Sequence, residues 1–140
     1  MPKHPSNVAI LGSTGSIGCS TLEVIRASEG RFHVTGLTAH RRLGDMCEQA
    51  AAFAPEWVVA TDAELGRQFN WACLPSRTEV WLGHDQLCEL VQSPEVDVVV
   101  AAIVGSAGLR STWAAVGAGK TVALANKETL VVAGPMVMQL

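Results

Sequence analysis

Residues 8–18, VAILGSTGSIG, combine an apolar run with three glycines spaced three residues apart. A buried strand that breaks into a glycine-rich turn and then a helix is typical of a site for the pyrophosphate of a dinucleotide. Gly12 would allow a tight turn, Gly15 a close approach to a phosphate, and Gly18 the packing of the helix against the strand. The spacing differs from the commoner Gly-x-Gly-x-x-Gly, so an ordinary turn is the alternative. The position at the first strand-to-helix junction favours nucleotide binding.

A basic loop follows the second predicted strand, where residues 38–43 read TAHRRL. An acidic residue at this point would hydrogen-bond the ribose of NAD, whereas arginine accommodates the 2′-phosphate of NADP. No acid occurs before Asp45, and Arg41 and Arg42 with His40 suit a phosphate through contacts of about 1.5–3 kcal/mol each. The loop therefore favours NADPH, with a solvated basic loop ahead of a helix as the alternative.

A third polar cluster stands at the end of the last predicted strand, where residues 125–129 read ANKET. Asn126 can donate and accept hydrogen bonds, Glu128 can hold ribose hydroxyls, and Lys127 can bind an anionic or hydroxylated substrate. A capped helix start with Asn126 as N-cap is the alternative. Residues 105–108, GSAG, could likewise bring backbone near the nicotinamide or form an ordinary turn.

Alternating strands and helices would position these segments. Strands are predicted at residues 8–11, 32–38, 56–60, 78–82, 97–103 and 120–125. Helices are predicted from Cys19 to about Gly30, at 43–53, from the N-cap Asp62 to about Asn70, at 85–92 and 111–118, and from Thr129 onward. This order indicates an α/β fold of the Rossmann-like, doubly wound type, with a mainly parallel sheet and helices on both faces.

Composition limits the class of protein. The length of 140 residues suits one domain, residues 1–140, and 49% hydrophobic with 16% charged residues indicates a globular chain. The net charge of −3 gives no electrostatic footprint for nucleic acid or an anionic membrane. There is no apolar run of membrane-spanning length and no signal-peptide pattern. We therefore expect a cytoplasmic protein with neither nucleic acid nor membrane as a partner.

The cysteines and histidines show no metal-binding pattern. Four cysteines, at 19, 47, 73 and 88, are widely separated without a C-x-x-C pair, and four histidines are scattered. We expect free thiols in a reducing compartment and no metal site. The apolar residues 136–140 predict that the chain is the N-terminal piece of a longer protein.

Four segments, occurring together and in order, resemble the NADPH-binding N-terminal domain of the 1-deoxy-D-xylulose 5-phosphate reductoisomerase family. They are GSTGSIGCSTL (12–22), RTEVWLG (77–83), AAIVGSAGL (101–109) and AGKTVALANKETLV (118–131). The resemblance covers nearly the whole chain. It implies an NADPH-dependent oxidoreductase that converts 1-deoxy-D-xylulose 5-phosphate to 2-C-methyl-D-erythritol 4-phosphate in non-mevalonate isoprenoid synthesis. A divalent cation, Mg or Mn, would be needed in the full-length enzyme.

The resemblance also implies roles for particular residues. Contacts to the cofactor phosphates would come from Thr14, Gly15, Ser16 and Ile17. The adenosine 2′-phosphate loop would be His40, Arg41 and Arg42, with His40 in place of the family's usual glycine. Two further cofactor-binding positions are matched by Asn126 and Glu128, and a substrate-contacting lysine by Lys127.

The family's metal ligands, an Asp-x-Glu motif after the next strand and a later glutamate, have no match in this sequence. The resemblance therefore implies no catalytic residue and no metal ligand in this chain, which alone should be inactive. It implies a phosphorylated sugar as substrate and a homodimer for the full-length enzyme. The alternatives are the nucleotide domain of another NADP-dependent enzyme, such as a semialdehyde or homoserine dehydrogenase, and a non-catalytic nucleotide-sensing module.

Overall fold

The structure, a computed structural model, describes residues 5–103 and 105–124. Its strands are β1 (Ser6–Leu11), β2 (Phe32–Ala39), β3 (Trp57–Ala60), β4 (Glu79–Leu82), β5 (Val98–Ala101) and β6 (Thr121–Leu124). Its helices are α1 (Ser16–Ala27), α2 (Leu43–Phe53), α3 (Ala63–Gln68), α4 (His84–Leu90) and α5 (Leu109–Gly117), with 3₁₀ turns at Trp71–Cys73 and Gly105–Gly108.

The described strands form one six-stranded sheet in the order β4-β3-β2-β1-β5-β6. All five strand pairs are parallel. The chain moves outward from β1 to β4, then crosses back over β1 to build β5 and β6 on its other side. In such sheets a ligand binds beyond the carboxyl ends of the strands where the order reverses, which here is between β1 and β5. The predicted Rossmann-like, doubly wound fold is confirmed.

Both faces of the sheet are buried, as the unbroken apolar strands predict. Along β1, Val8 and Ile10 pack with residues of α1 and α2, whereas Ala9 and Leu11 pack with residues of α4 and α5. These four side chains are at most 3% exposed. Since the helices cover both faces, the carboxyl edge of the sheet is where polar loops can gather around a ligand.

Local signals set several helix boundaries as predicted. Helix α2 spans Leu43–Phe53, as its apolar spacing predicts. Asp62 is the N-cap of α3, and its carboxylate accepts a hydrogen bond of 3.1 Å from the Leu65 amide. Helix α1 differs, because it begins at Ser16, three residues before the predicted Cys19. The glycine-rich turn thus passes directly into the helix, with Gly15 as N-cap.

The expectation that all four cysteines are free thiols is wrong for two of them. Cys47 on α2 and Cys73 in the first 3₁₀ turn form a disulfide, with their Cα atoms 6.0 Å apart. The two crossovers that contain them cover the same face of the sheet, which brings together residues 26 positions apart in sequence. Cys19 and Cys88 are free, as expected.

The described residues contain neither a candidate metal site nor a candidate membrane span. Residues 5–103 and 105–124 contain no group of three or more His, Cys, Asp or Glu side chains placed to hold a metal ion. No helix in the same ranges is long and apolar enough to cross a membrane. The helix predicted from Thr129 lies outside the described residues.

Candidate nucleotide-binding site

A cleft of about 530 Å³ opens at the carboxyl ends of the strands. Residues that line it follow or end five different strands, so the cleft depends on the sheet as a whole. The turn after β1 contributes Gly12, Thr14 and Gly15. The end of β2 contributes Thr38 and Ala39, and the loop that follows it contributes His40 and Arg42. The segments that follow β3, β4 and β5 contribute Thr61, His84 at the start of α4, Ala102 and Ile103, and the second 3₁₀ turn adds Ala107.

The glycine-rich turn is built around two close approaches. Gly12 has a φ of +81°, and a Cβ there would lie 2.7 Å from the carbonyl oxygen of Ala102. A Cβ on Gly18 would lie 2.5 Å from the carbonyl oxygen of Gly12. The predicted tight turn at Gly12 is confirmed. Gly18 allows α1 to pack closely, and its nearest neighbours belong to the turn that directly follows β1.

The amino end of α1 offers backbone donors beside the cleft. The first helical hydrogen bond is donated by Cys19 to the Gly15 carbonyl at 2.9 Å, so the amides of Ser16 and Ile17 precede it. Within the described residues Gly15 receives no side-chain cap, and the first turn contains no acidic residue. Free amides and the positive end of the helix dipole together suit an anion such as a phosphate. Thr14 and Gly15 line the cleft, and Ser16 and Ile17 are exposed next to it.

Thr38 at the end of β2 holds this turn from one side, a role that the sequence analysis missed. Its hydroxyl accepts a hydrogen bond of 3.0 Å from the Gly12 amide. Its carbonyl accepts one of 2.9 Å from the Ser13 amide. The side chain of Gln49 on α2 binds Ser13 from the other side. Both partners lie more than 20 residues from the turn, so only the folded chain reveals them.

The basic loop lies beside the glycine-rich turn. Arg42 donates from Nη1 to the Thr14 carbonyl at 2.9 Å and from Nε to Asp45 Oδ2 at 2.8 Å. The Nδ1 of His40 lies 3.0 Å from the Thr61 hydroxyl oxygen. Arg41 is exposed and forms no ion pair with any described residue. The fold therefore brings His40 and Arg42 to the cleft wall, whereas Arg41 does not line the cleft.

His84 also lines the cleft, although it was not among the residues predicted from the sequence. Its Nε2 is buried without a hydrogen-bond partner among the described residues. Burial, with a smaller effect from Arg110, holds the pKa of His84 below its usual value because both disfavour the charged ring. Asp85 accepts a hydrogen bond of 2.6 Å from Arg110. The signal that could have found His84 is its place just after the carboxyl end of a strand.

Of the two other predicted segments, one lies within the described residues and one lies outside them. Residues 105–108 form a 3₁₀ turn, and Ala107 of that turn lines the cleft. The polar cluster Asn126, Lys127 and Glu128 lies outside the described residues. The structure thus brings together the glycine-rich turn, the basic loop and the turn after β5.

Comparison with known proteins identifies the family. The family model described as 1-deoxy-D-xylulose 5-phosphate reductoisomerase matches residues 8–134. The reductoisomerase of Dechloromonas aromatica is 48% identical over 99% of this chain. That of Pseudomonas aeruginosa is 44% identical over 97% of it. This chain covers 35% of the length of each of these two relatives.

Solved structures give the same result. The 1-deoxy-D-xylulose 5-phosphate reductoisomerase of Zymomonas mobilis in complex with NADPH matches with a TM-score of 0.88 and 41% identity, covering 97% of this chain and 36% of that one. A DOX-P reductoisomerase in complex with NADPH, fosmidomycin and magnesium matches with a TM-score of 0.85 and 43% identity, covering 96% of this chain and 33% of that one. The chain described above belongs to the 1-deoxy-D-xylulose 5-phosphate reductoisomerase family.

Proposed function

We propose that this chain is the NADPH-binding portion of an enzyme that converts 1-deoxy-D-xylulose 5-phosphate to 2-C-methyl-D-erythritol 4-phosphate in the non-mevalonate isoprenoid pathway. The observation that supports it most directly is the hydrogen bond from Arg42 to the Thr14 carbonyl. That bond places a basic loop next to a turn of the kind that binds phosphates. NADPH would use the turn for its pyrophosphate and the loop for its 2′-phosphate, whereas NADH has no 2′-phosphate. Membership of the family argues against a semialdehyde or homoserine dehydrogenase.

The described residues fit this cofactor. The cleft of about 530 Å³ is of the size that small-molecule sites occupy. Gly15 at the amino end of α1 is exposed and lines the cleft. A pyrophosphate would be held there by the turn at Thr14 and Gly15 and by the amides of Ser16 and Ile17. NADPH supplies the hydride for the reduction, and this chain's residues bind and orient it.

The remaining cofactor contacts are assigned on family resemblance and chemistry. Arg41 and Arg42, with His40, would bind the 2′-phosphate through charge-assisted hydrogen bonds. Asn126 and Glu128 would bind the cofactor, and Lys127 would contact the phosphorylated sugar. The exposed Arg41 supports the first of these roles, because its guanidinium makes no ion pair within the described residues.

The rest of the reaction belongs to parts of the enzyme that this chain does not cover. The matched DOX-P reductoisomerase structure is a complex with magnesium, and we expect a divalent cation, Mg or Mn, to act only in the full-length enzyme. The full-length enzyme would be a cytoplasmic homodimer. This chain alone would bind cofactor without catalysing the reaction, and its net charge of −3 supports neither nucleic acid nor an anionic membrane as a partner.

Calorimetric titration of the chain with NADPH and, separately, with NADH tests this proposal. Contacts to the 2′-phosphate of about 1.5–3 kcal/mol each should give a preference for NADPH of roughly a hundredfold. Circular dichroism of the same sample establishes that the chain is folded. Equal affinities, or no heat from either cofactor with a folded chain, would refute the proposal.

A further inference from the structure

Gln49 uses both ends of its side-chain amide on one residue of the glycine-rich turn. Its Nε2 donates a hydrogen bond of 2.8 Å to the Ser13 carbonyl. Its Oε1 accepts a hydrogen bond of 2.8 Å from the Ser13 hydroxyl. The two residues are 36 positions apart in sequence. Gln49 is on α2 and does not line the cleft. Its Nε2 also lies 3.7 Å from Cys19 Sγ on α1, so its effect on a ligand would pass through Ser13 and the start of α1.

Ser13 is fully buried and is fixed from two directions. Its amide donates to the Thr38 carbonyl at 2.9 Å, which ties it to β2. The paired bonds from Gln49 tie it to α2. The next residues, Thr14 and Gly15, line the cleft and lead into α1. The position of Ser13 therefore sets where the phosphate-facing backbone lies.

The chemistry at this contact requires a carboxamide. Gln49 must offer a donor to a carbonyl and an acceptor to a hydroxyl, and an amide is the side-chain group that offers both at this reach. A carboxylate of the same shape has two acceptors, one of which would face the Ser13 carbonyl oxygen. It would also add a negative charge behind a turn that we propose to bind phosphates. Glutamate is therefore a poor substitute despite its matching size.

We propose that Gln49 is a positioning residue, which holds residues 12–15 in the conformation that accepts the cofactor pyrophosphate. The identity of the ligand rests on the proposed function. The two hydrogen bonds to Ser13 are a property of the described structure and can be tested without a ligand.

The binding test compares Gln49→Met and Gln49→Glu with a matched control, Gln68→Met. Gln68 is exposed on α3 and bonds Glu64, away from the cleft. The probes are NADPH, NADH and adenosine 2′-monophosphate, which has the 2′-phosphate but no pyrophosphate. Gln49→Met loses both hydrogen bonds to Ser13, whereas Gln49→Glu loses the bond to the Ser13 carbonyl and sets two oxygens against each other. Each variant should raise the Kd of NADPH and NADH alike by about ten- to thirtyfold. Binding of adenosine 2′-monophosphate should change by less than about twofold.

A milder variant and a ligand-free readout complete the test. Ser13→Ala removes the hydroxyl that bonds Gln49 at 2.8 Å and lies 3.3 Å from the Thr38 carbonyl oxygen, and it leaves the Gln49 bond to the Ser13 carbonyl in place. It should raise both dinucleotide Kd values by about three- to fivefold. Amide hydrogen exchange in residues 12–17 of the free chain should be faster in the Gln49 variants than in Gln68→Met.

The results separate this inference from the proposed function. If the wild-type chain binds neither dinucleotide, the proposed function fails, and the exchange rates still decide the role of Gln49. Dinucleotide affinities within twofold of wild type together with unchanged exchange would overturn the inference. An equal loss for adenosine 2′-monophosphate would also overturn it, because it would indicate general destabilisation.

Discussion

The guanidinium of Arg42 donates a hydrogen bond of 2.9 Å to the carbonyl oxygen of Thr14, which is 28 residues earlier in the chain. This bond connects the basic loop after β2 to the glycine-rich turn after β1. Arg42 also pairs with Asp45 at 2.8 Å, whereas the neighbouring Arg41 is exposed. The two arginines therefore differ: Arg42 fixes the loop against the turn, whereas Arg41 makes no ion pair within the described residues.

Replacing the arginines should separate these two effects. Arg41→Ala should weaken NADPH binding about tenfold or more and change NADH binding by less than about twofold, because only NADPH has a 2′-phosphate. Arg42→Ala should weaken both cofactors, and NADPH more strongly. Titration with each cofactor measures this, with Arg67→Ala, an exposed arginine on α3 paired with Glu64, as the control. Equal losses of NADPH and NADH in Arg41→Ala would contradict the assignment.

The turn at Gly12 should not tolerate a side chain. Gly12→Ala places a Cβ 2.7 Å from the Ala102 carbonyl oxygen at a φ of +81°. The left-handed backbone and the overlap together should lower the free energy of unfolding by about 2–4 kcal/mol. Urea denaturation measures the change. Gly44→Ala is the matched control, because Gly44 lies within α2 and an added Cβ there meets nothing within 4 Å. This substitution should raise the free energy of unfolding by about 0.5 kcal/mol. Similar effects of the two substitutions would refute this account of the turn.

The disulfide should contribute measurably to stability. Cys47 and Cys73 are 26 residues apart, and closing a loop of that length is worth about 3–4 kcal/mol in the chain-entropy model. Cys73→Ser, or a thiol reductant added to the wild type, should lower the free energy of unfolding by about that amount. Cys19→Ser, at an exposed free cysteine, is the control. Urea curves that coincide for oxidised and reduced wild-type protein would show that the pair contributes nothing.

His84 should make stability depend on pH between pH 7 and pH 5. Its pKa in the folded chain is below the usual 6.5, mainly because burial disfavours the charged ring. The unfolded chain therefore takes up a proton first, and the stability present above pH 6.5 is lost as the pH falls through the folded pKa. The pKa of Asp85 is also low, because of Arg110, but that carboxyl titrates in a more acidic range. Urea midpoints should fall less from pH 7 to pH 5 in His84→Gln, and an unchanged slope would contradict the prediction.

Much of the fold could be predicted because its signals are local. The apolar run at residues 97–103 and the apolar spacing of residues 43–53 identify a buried strand and a helix, and Asp62 is recognisable as an N-cap. The pairs Cys47–Cys73 and Ser13–Gln49 could not be predicted in this way. Each joins residues whose proximity depends on how the crossovers stack on the sheet.

The candidate site likewise contains some features that could be predicted from the sequence and others that could not. The glycine-rich turn and the basic loop could be found from residue types at strand ends, since parallel sheets bind ligands there. The histidine at position 84 follows a strand too, but nothing in the types of its neighbours marks it as part of the cleft. The bond between Arg42 and Thr14 required the parallel pairing of β1 and β2, which places the two loops side by side.

The most direct test of the central claim is nitrogen-15 NMR of the labelled chain with NADPH and, separately, with NADH. Both cofactors should shift the amide signals of residues 12–17, because both contain the pyrophosphate. Only NADPH should strongly shift those of residues 40–42, because only NADPH has the 2′-phosphate. Identical shifts for the two cofactors at residues 40–42, or shifts confined to residues outside the cleft, would contradict the account.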